Sequence, residues 1–183
     1  MSESKKSMPV EFKTCGILTE KGVTVAEQSS IDQLTNRGYG TLTGKVFTLA
    51  FFEALYLQDK GLLETKDKNG ALIDFQQLLC CYEAKDENVW VNYLIYRDLR
   101  SRGYVVREGF SGIDFRIYER GTYGKDTAPY LILSMQEGKP FPIGMLAEVL
   151  QKTQSQKKEL ILAVMNRRGE IVYYTVGEMH IPV

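Results

Sequence analysis

The chain has a single histidine, His180, among its 183 residues, and no net charge, since 23 Lys and Arg balance 23 Asp and Glu. The charge balance excludes a broadly basic nucleic-acid coat, so any RNA contact must come from a local patch or from a partner. No apolar run approaches the length needed to span a bilayer, and the polar start MSESKKS does not read as a secretory signal, so no membrane contact is expected. Only three cysteines are present, Cys15, Cys80 and Cys81, without C-x-x-C spacing. They read as reduced packing cysteines of an intracellular, cytoplasmic protein with no metal site. Internal repeats and low-complexity segments are missing too. What remains is ordinary globular composition at a length that can bury a core, as one domain or as two small ones.

The most informative stretch is Tyr93–Gly121, YLIYRDLRSRGYVVREGFSGIDFRIYERG. Trp90, Leu94, Ile95 and Leu99 fall at helical spacing and predict an amphipathic helix over 88–102, with Arg97, Arg100 and Arg102 on its other side. Gly103 suits the helix end, because glycine enters the left-handed cap conformation without a Cβ clash. YVVREGF and DFRIYER then read as two strands joined at a Ser-Gly turn. The four arginines from Arg97 to Arg107 read equally as RNA-steering charge or as a wet helix face.

The rest of the chain gives an α/β (α+β) reading with two modules, 1–86 and 87–183. Residues 1–9 are expected to fray. Val10, Phe12, Ile17, Leu18, Val23 and Val25 predict a hairpin turning at Glu20–Gly22. Ser30–Asn36 predicts a short helix capped by Ser30, VFTLAFFEALYL (46–57) a buried helix, LLET (62–65) a strand and KDKNG (66–70) a turn. Asp74 caps a helix at FQQLLCCYEA, and KDEN (85–88) is the connector. In the second module, strands at 128–135, 159–165 and 171–176 surround a helix at 141–155, with the tight turn NRRG between the last two strands. The expected architecture is a mixed sheet with a helix on each side.

Residues 93–121 resemble the tRNA-splicing (tRNA-intron) endonuclease family of archaeal type, whose pattern is close to Y-x-x-Y-x-D-L-R-x-R-G-Y-x-V-x-x-G followed by D-F-x-x-Y-x-x-G. NRGYG (36–40), FFEALYLQDKGLLE (51–64), APYLIL (128–133) and KKELILAV…GEIVYY (157–174) look like further family segments in family order. The resemblance implies a nuclease-like C-terminal domain acting without cofactor on precursor tRNA at bulge-helix-bulge sites. It implies 2′,3′-cyclic phosphate and 5′-hydroxyl ends, and pairing with a homologous subunit as a dimer or tetramer, in part through an apolar tail such as His180–Val183. Metal-free RNA cleavage needs a base for the 2′-hydroxyl, an acid for the leaving 5′-oxygen and a cation for the phosphorane. The family fills these roles with tyrosine, histidine and lysine. Tyr118 of DFRIYERG and Lys158 of S-Q-K-K-E-L match the tyrosine and lysine. The family's H-A-P-Y-L reads T-A-P-Y-L here, so Thr127 stands at the histidine's place.

Other departures accompany that one. The 121–127 segment and the 111–113 loop each look one residue short. Gln151 replaces an arginine that contacts the RNA bulge in the family, and Gln154 replaces a second histidine. An intact framework with drifted active-site and substrate-facing positions is the pattern of a structural or catalytically impaired subunit. The acidic docking loop expected of such a subunit is instead Asn166-Arg167-Arg168-Gly169-Glu170, whose arginines either face RNA phosphate or are a solvated turn. The candidate RNA contacts are thus Arg97, Arg100, Gln151 and Arg167. Two alternatives remain: an active subunit using Tyr118 and Lys158 with an unconventional acid, and a Mg²⁺-dependent nuclease using Asp114, Glu137 and Lys139 in a D…E-x-K pattern.

Overall fold

The computed structural model describes residues 13–119 and 121–177. The expectations for residues 1–9, for Val10 and Phe12, and for the tail at His180–Val183 lie outside the described residues. Strands β1 (Thr14–Thr19) and β2 (Gly22–Val25) form the expected hairpin, with Leu18 opposite Val23. Helix α1 (Gln28–Asn36) follows, then β3 (Thr41–Thr43), β4 (Val46–Leu49), α2 (Phe51–Asp59), β5 (Leu63–Lys66), β6 (Leu72–Ile73) and α3 (Phe75–Glu83). The six strands make one sheet in the order β3-β4-β2-β1-β5-β6, with β1 parallel to β5 and the other pairs antiparallel.

Four expectations for individual residues are corrected. The run 46–57 is not one helix, because β4 occupies Val46–Leu49 and α2 starts only at Phe51. A continuous apolar run carries no period, but here Phe47 and Leu49 are buried while Val46 is exposed, which is strand alternation. Ser30 does not cap α1; it sits buried inside the helix and donates to the carboxylate of Glu27, the residue at the cap position. All three cysteines are free but exposed rather than packed. Trp90 is 40% exposed, its ring resting on Tyr93, so it is not core. The cap at Asp74 is as expected: its carboxylate accepts from the Gln77 N–H at 2.8 Å.

Helix α4 (Val89–Ser101) opens the second half, followed by β7 (Val105–Glu108), β8 (Phe115–Tyr118), β9 (Tyr130–Gln136), α5 (Ile143–Ser155), β10 (Glu159–Met165) and β11 (Ile171–Val176). Gly103, with φ +92°, ends α4 in the left-handed conformation, and the Tyr104 N–H reaches back to the Leu99 carbonyl at 3.3 Å. The five strands order as β11-β10-β9-β8-β7, with β9 and β10 parallel. One sheet face, through Phe115, Ile117, Ile132 and Ala163, packs on α4. The other, through Leu131, Leu133 and Leu160, packs on Val149 and Leu150 of α5.

The larger core continues from the first sheet into the second. Phe52 of α2 meets Tyr96 of α4 at 4.8 Å and Phe115 of β8 at 5.0 Å between ring centroids. Each fully buried side chain of this size contributes roughly 1.5–3 kcal/mol. Such burial outweighs the weak helical propensity of the aromatic α2, and it encloses the first half of α4 on most of its sides. The α4 residues buried between the α2–α3 layer and the sheet run from Val91 through Tyr96.

Candidate functional site

Strand register brings the motif residues together. Ile117 of β8 and Glu159 of β10 both stand opposite Tyr130 of β9. One position further out, Tyr118, Pro129 and Lys158 form a row across the same end of the sheet. At two strand spacings, Tyr118 and Lys158 are roughly 10 Å apart along the backbone. Thr127 lies two residues ahead of Pro129, exposed, in the segment that enters β9. Side chains alternate along a strand. Since Phe115 and Ile117 face α4, Arg116 and Tyr118 face the α5 side. Lys158 shares its side with Leu160, which packs beneath α5. The three sequence-matched residues therefore gather at one sheet end, with Tyr118 and Lys158 projecting from the same face.

Local structure fixes each of them. Lys158 follows a helix stop in which Lys157 takes φ +56° and the Lys158 N–H bonds the Thr153 carbonyl at 3.2 Å. The Glu159 N–H then bonds the Pro129 carbonyl at 3.0 Å, tying the entrances of β10 and β9 together. The Tyr118 ring meets the Tyr123 ring edge-on, 5.1 Å between centroids. Tyr123 in turn lies against Gly38 of the first module: a Cβ there would come within 3.4 Å of its ring and 2.4 Å of Val105. Nearby, the Tyr130 hydroxyl donates to Glu119 at 3.3 Å, and that carboxylate, the main cause, raises the Tyr130 phenol.

The sequence-matched RNA contacts divide. Arg97 is exposed on α4, and Gln151 is exposed on α5. Arg100 turns inward: its guanidinium carbon lies 3.9 Å from the Tyr39 ring centroid, and the group donates to the carbonyls of Arg37 at 2.9 Å and Tyr104 at 3.4 Å. Its charge clamps the 36–40 segment onto α4. Arg107 likewise pairs with Glu53 and bonds Gly38, Gly40 and Thr41. Arg167 is exposed in the turn after β10. It lies beyond the opposite end of that strand from Lys158, and the strand's seven residues alone span roughly 20 Å at strand rise. Beside it, the Asn166 amide donates to Glu170 at 2.7 Å.

Asp114, Glu137 and Lys139 sit at that opposite end of the sheet. Asp114 precedes β8 and accepts from the Ser134 N–H at 2.7 Å, and burial raises its carboxyl above the usual range. Lys139 reaches Glu87 at 3.6 Å and Asn88 at 3.5 Å. Among the described residues no three His, Cys, Asp or Glu side chains cluster as a metal site.

Phe110 and Arg116 carried no sequence signal. Phe110 lies in the β7–β8 loop, with the Arg116 guanidinium 5.8 Å and the Lys158 ammonium 6.0 Å from its ring centroid. Nothing in their spacing shows this meeting, which depends on the loop conformation and on register across three strands.

Residues 15–79 match the family model for the tRNA intron endonuclease N-terminal domain, and residues 89–173 that for its catalytic C-terminal domain. The chain is 33% identical over 178 residues to a tRNA-splicing endonuclease of Methanococcus maripaludis, covering 97% of each. Identity to the tRNA-splicing endonuclease of Pyrococcus furiosus is 36% over 151 residues, 81% of this chain and 86% of that one. A tRNA-splicing endonuclease of Methanococcoides burtonii is 30% identical over 171 residues, 89% of this chain and 48% of that one.

Proposed function

The chain belongs to the tRNA intron endonuclease family, and on that premise we propose that it is a subunit of an enzyme that cuts introns from precursor tRNA at bulge-helix-bulge sites. The alignment of Tyr118 and Lys158 on one sheet end, with Thr127 beside them, carries this reading. Tyr118 takes the proton of the 2′-hydroxyl as its oxygen attacks phosphorus. Lys158 balances the charge of the phosphorane. The bond from phosphorus to the 5′-oxygen breaks, leaving a 2′,3′-cyclic phosphate and a 5′-oxygen that needs a proton.

That last step is the weak one. Thr127 offers a hydroxyl where the family has an imidazole, and a hydroxyl has no protonated form near neutral pH to give up a proton. Losing positioned acid catalysis costs typically ~10²–10⁴ in rate. The subunit is therefore structural or catalytically impaired alone, and it works beside a homologous subunit with an intact acid. Its edge strand β11 supports pairing, with Val172 and Tyr174 exposed. The modules 1–86 and 87–183 act as one scaffold, and the setting is cytoplasmic. An active subunit is the second reading; the Tyr123 ring against Tyr118 brings another phenol to the same edge as a differently placed acid.

The test is cleavage of a bulge-helix-bulge RNA in EDTA, with product ends identified. Little or no cleavage by the chain alone, with cyclic-phosphate ends restored by a histidine-bearing homologous subunit, supports the impaired reading. Full-rate cleavage alone supports the active one. Cleavage only with Mg²⁺ would move the chemistry to Asp114 and Glu137.

A further inference from the structure

We infer that Phe110 is a stacking platform for one unpaired nucleobase of the RNA beside the scissile phosphate, flanked by Arg116 and Lys158. The inference rests on the function proposed above and adds a base-binding subsite to it. Phe110 is 37% exposed, and two cations lie over its ring, Arg116 of β8 at 5.8 Å and Lys158 from just ahead of β10 at 6.0 Å from the centroid. The Arg116 Nε donates to the Glu108 carbonyl at 2.9 Å, which holds its guanidinium by the ring. An exposed aromatic ring among cations is the arrangement that binds single-stranded nucleic acid: the ring stacks a base and the cations meet neighbouring phosphates. Lys158 is itself placed at the scissile phosphate, so the stacked base is a close neighbour of the cut. Unpaired bulge nucleotides are free to leave the helical stack and supply that base.

The platform is held firmly. The Gly109 N–H bonds the Asp114 carbonyl at 2.8 Å, the Ile113 N–H bonds the Phe110 carbonyl at 3.1 Å, and the Asp114 N–H bonds Ile132 of β9 at 2.9 Å. Among the described residues, the only non-glycine positions at positive φ are Ser111, at +53°, and Lys157, at +56°. One adjoins Phe110 and the other adjoins Lys158. Left-handed backbone costs a side-chain-bearing residue roughly 1–2 kcal/mol. The fold keeps that strain at the two turns that present this ring and this ammonium, and strained backbone of this kind concentrates at ligand sites.

The experiment is equilibrium binding of bulge-helix-bulge RNA in EDTA, with 2-aminopurine placed in turn at each bulge nucleotide. We expect the wild-type protein to quench one position, Phe110→Trp to keep the quench, and Phe110→Leu and Phe110→Ala to lose it. Phe110→Ala should weaken binding roughly tenfold. An abasic nucleotide at the quenched position should weaken wild-type binding by a similar factor and leave Phe110→Ala binding unchanged. Phe110→Leu keeps the apolar bulk, so its loss of quench separates stacking from folding. Penalties that multiply, or Phe110→Ala binding like wild type, would overturn the platform while leaving the proposed function standing. Failure of the wild-type protein to bind any such RNA, alone and together with its homologous subunit, would overturn both.

Discussion

The Arg107 guanidinium and the Glu53 carboxylate lie 3.1 Å apart, with the two side chains 11% and 3% exposed, and they join β7 of the second sheet to α2 of the first module. The carboxylate also accepts from the Gly40 and Ala50 N–H groups at 3.0 Å. The guanidinium also holds the carbonyls of Gly38 and Gly40. Gly38 abuts Tyr123, and Tyr123 abuts Tyr118. The ion pair is thus the far end of a packed chain that reaches the motif tyrosine.

Removing Arg107 strands a buried carboxylate. Burial raises the Glu53 carboxyl above its usual range, against the opposing pull of Arg107 and the backbone N–H groups. Without the cation its pKa rises further. A carboxyl with a raised folded-state pKa contributes stability that is present below the unfolded value and is lost as pH rises through the folded one. We therefore expect Arg107→Ala to cost ~3–5 kcal/mol at pH 7. The cost should shrink as pH falls toward 5 and be partly recovered in the double variant with Glu53→Gln. Urea unfolding at the two pH values measures this, and an Arg107→Ala cost independent of pH would contradict it.

Tyr118 and Lys158 stand at a sheet end and are only partly buried, so their loss should spare the fold. Tyr118→Phe and Lys158→Ala are each expected to lower the residual cleavage by the chain alone by ~10²–10⁴. Their unfolding midpoints should stay close to that of the wild type. The comparison of single-turnover rates with thermal melts separates chemistry from stability.

Lys157 carries left-handed backbone that glycine adopts freely. Lys157→Gly relieves roughly 1–2 kcal/mol of strain and gives back roughly 0.5–1 kcal/mol in unfolded-chain entropy. The net gain of about 0.5–1 kcal/mol should raise the melting temperature by ~1–4 °C. A lowered melting temperature would show that the lysine side chain, rather than the turn, holds the entrance to β10.

Much of the second module was legible because its strands are β-branched, aromatic and bounded by turns. The expected 159–165 and 171–176 match β10 and β11 to the residue. Tyr118, Thr127 and Lys158 could be picked out only through family motifs, since no local pattern marks a tyrosine at a strand end. Misreadings arose where tertiary context decides. Val46–Leu49 merges with α2 in an apolar run, and the two-residue strand β6 has too little sequence to carry a period. Trp90 lies on the one side of α4 left open by its neighbours. Arg100 reads as a surface charge until Tyr39, 61 residues earlier, is seen beneath it.

The claim that Thr127 is what limits catalysis is tested most directly by Thr127→His. The single-turnover rate on bulge-helix-bulge RNA in EDTA would be compared with wild type from pH 5 to 9. We expect the variant to cleave ~10²–10⁴ faster near neutral pH. Because an imidazolium acts as acid only while protonated, that gain should fall as pH rises through the histidine's pKa, around 6.5 when unperturbed. The products should end in 2′,3′-cyclic phosphate and 5′-hydroxyl. A wild-type rate already equal to that of Thr127→His, with the same pH profile, would show that this end of the sheet has its acid from elsewhere, and the impaired reading would be wrong.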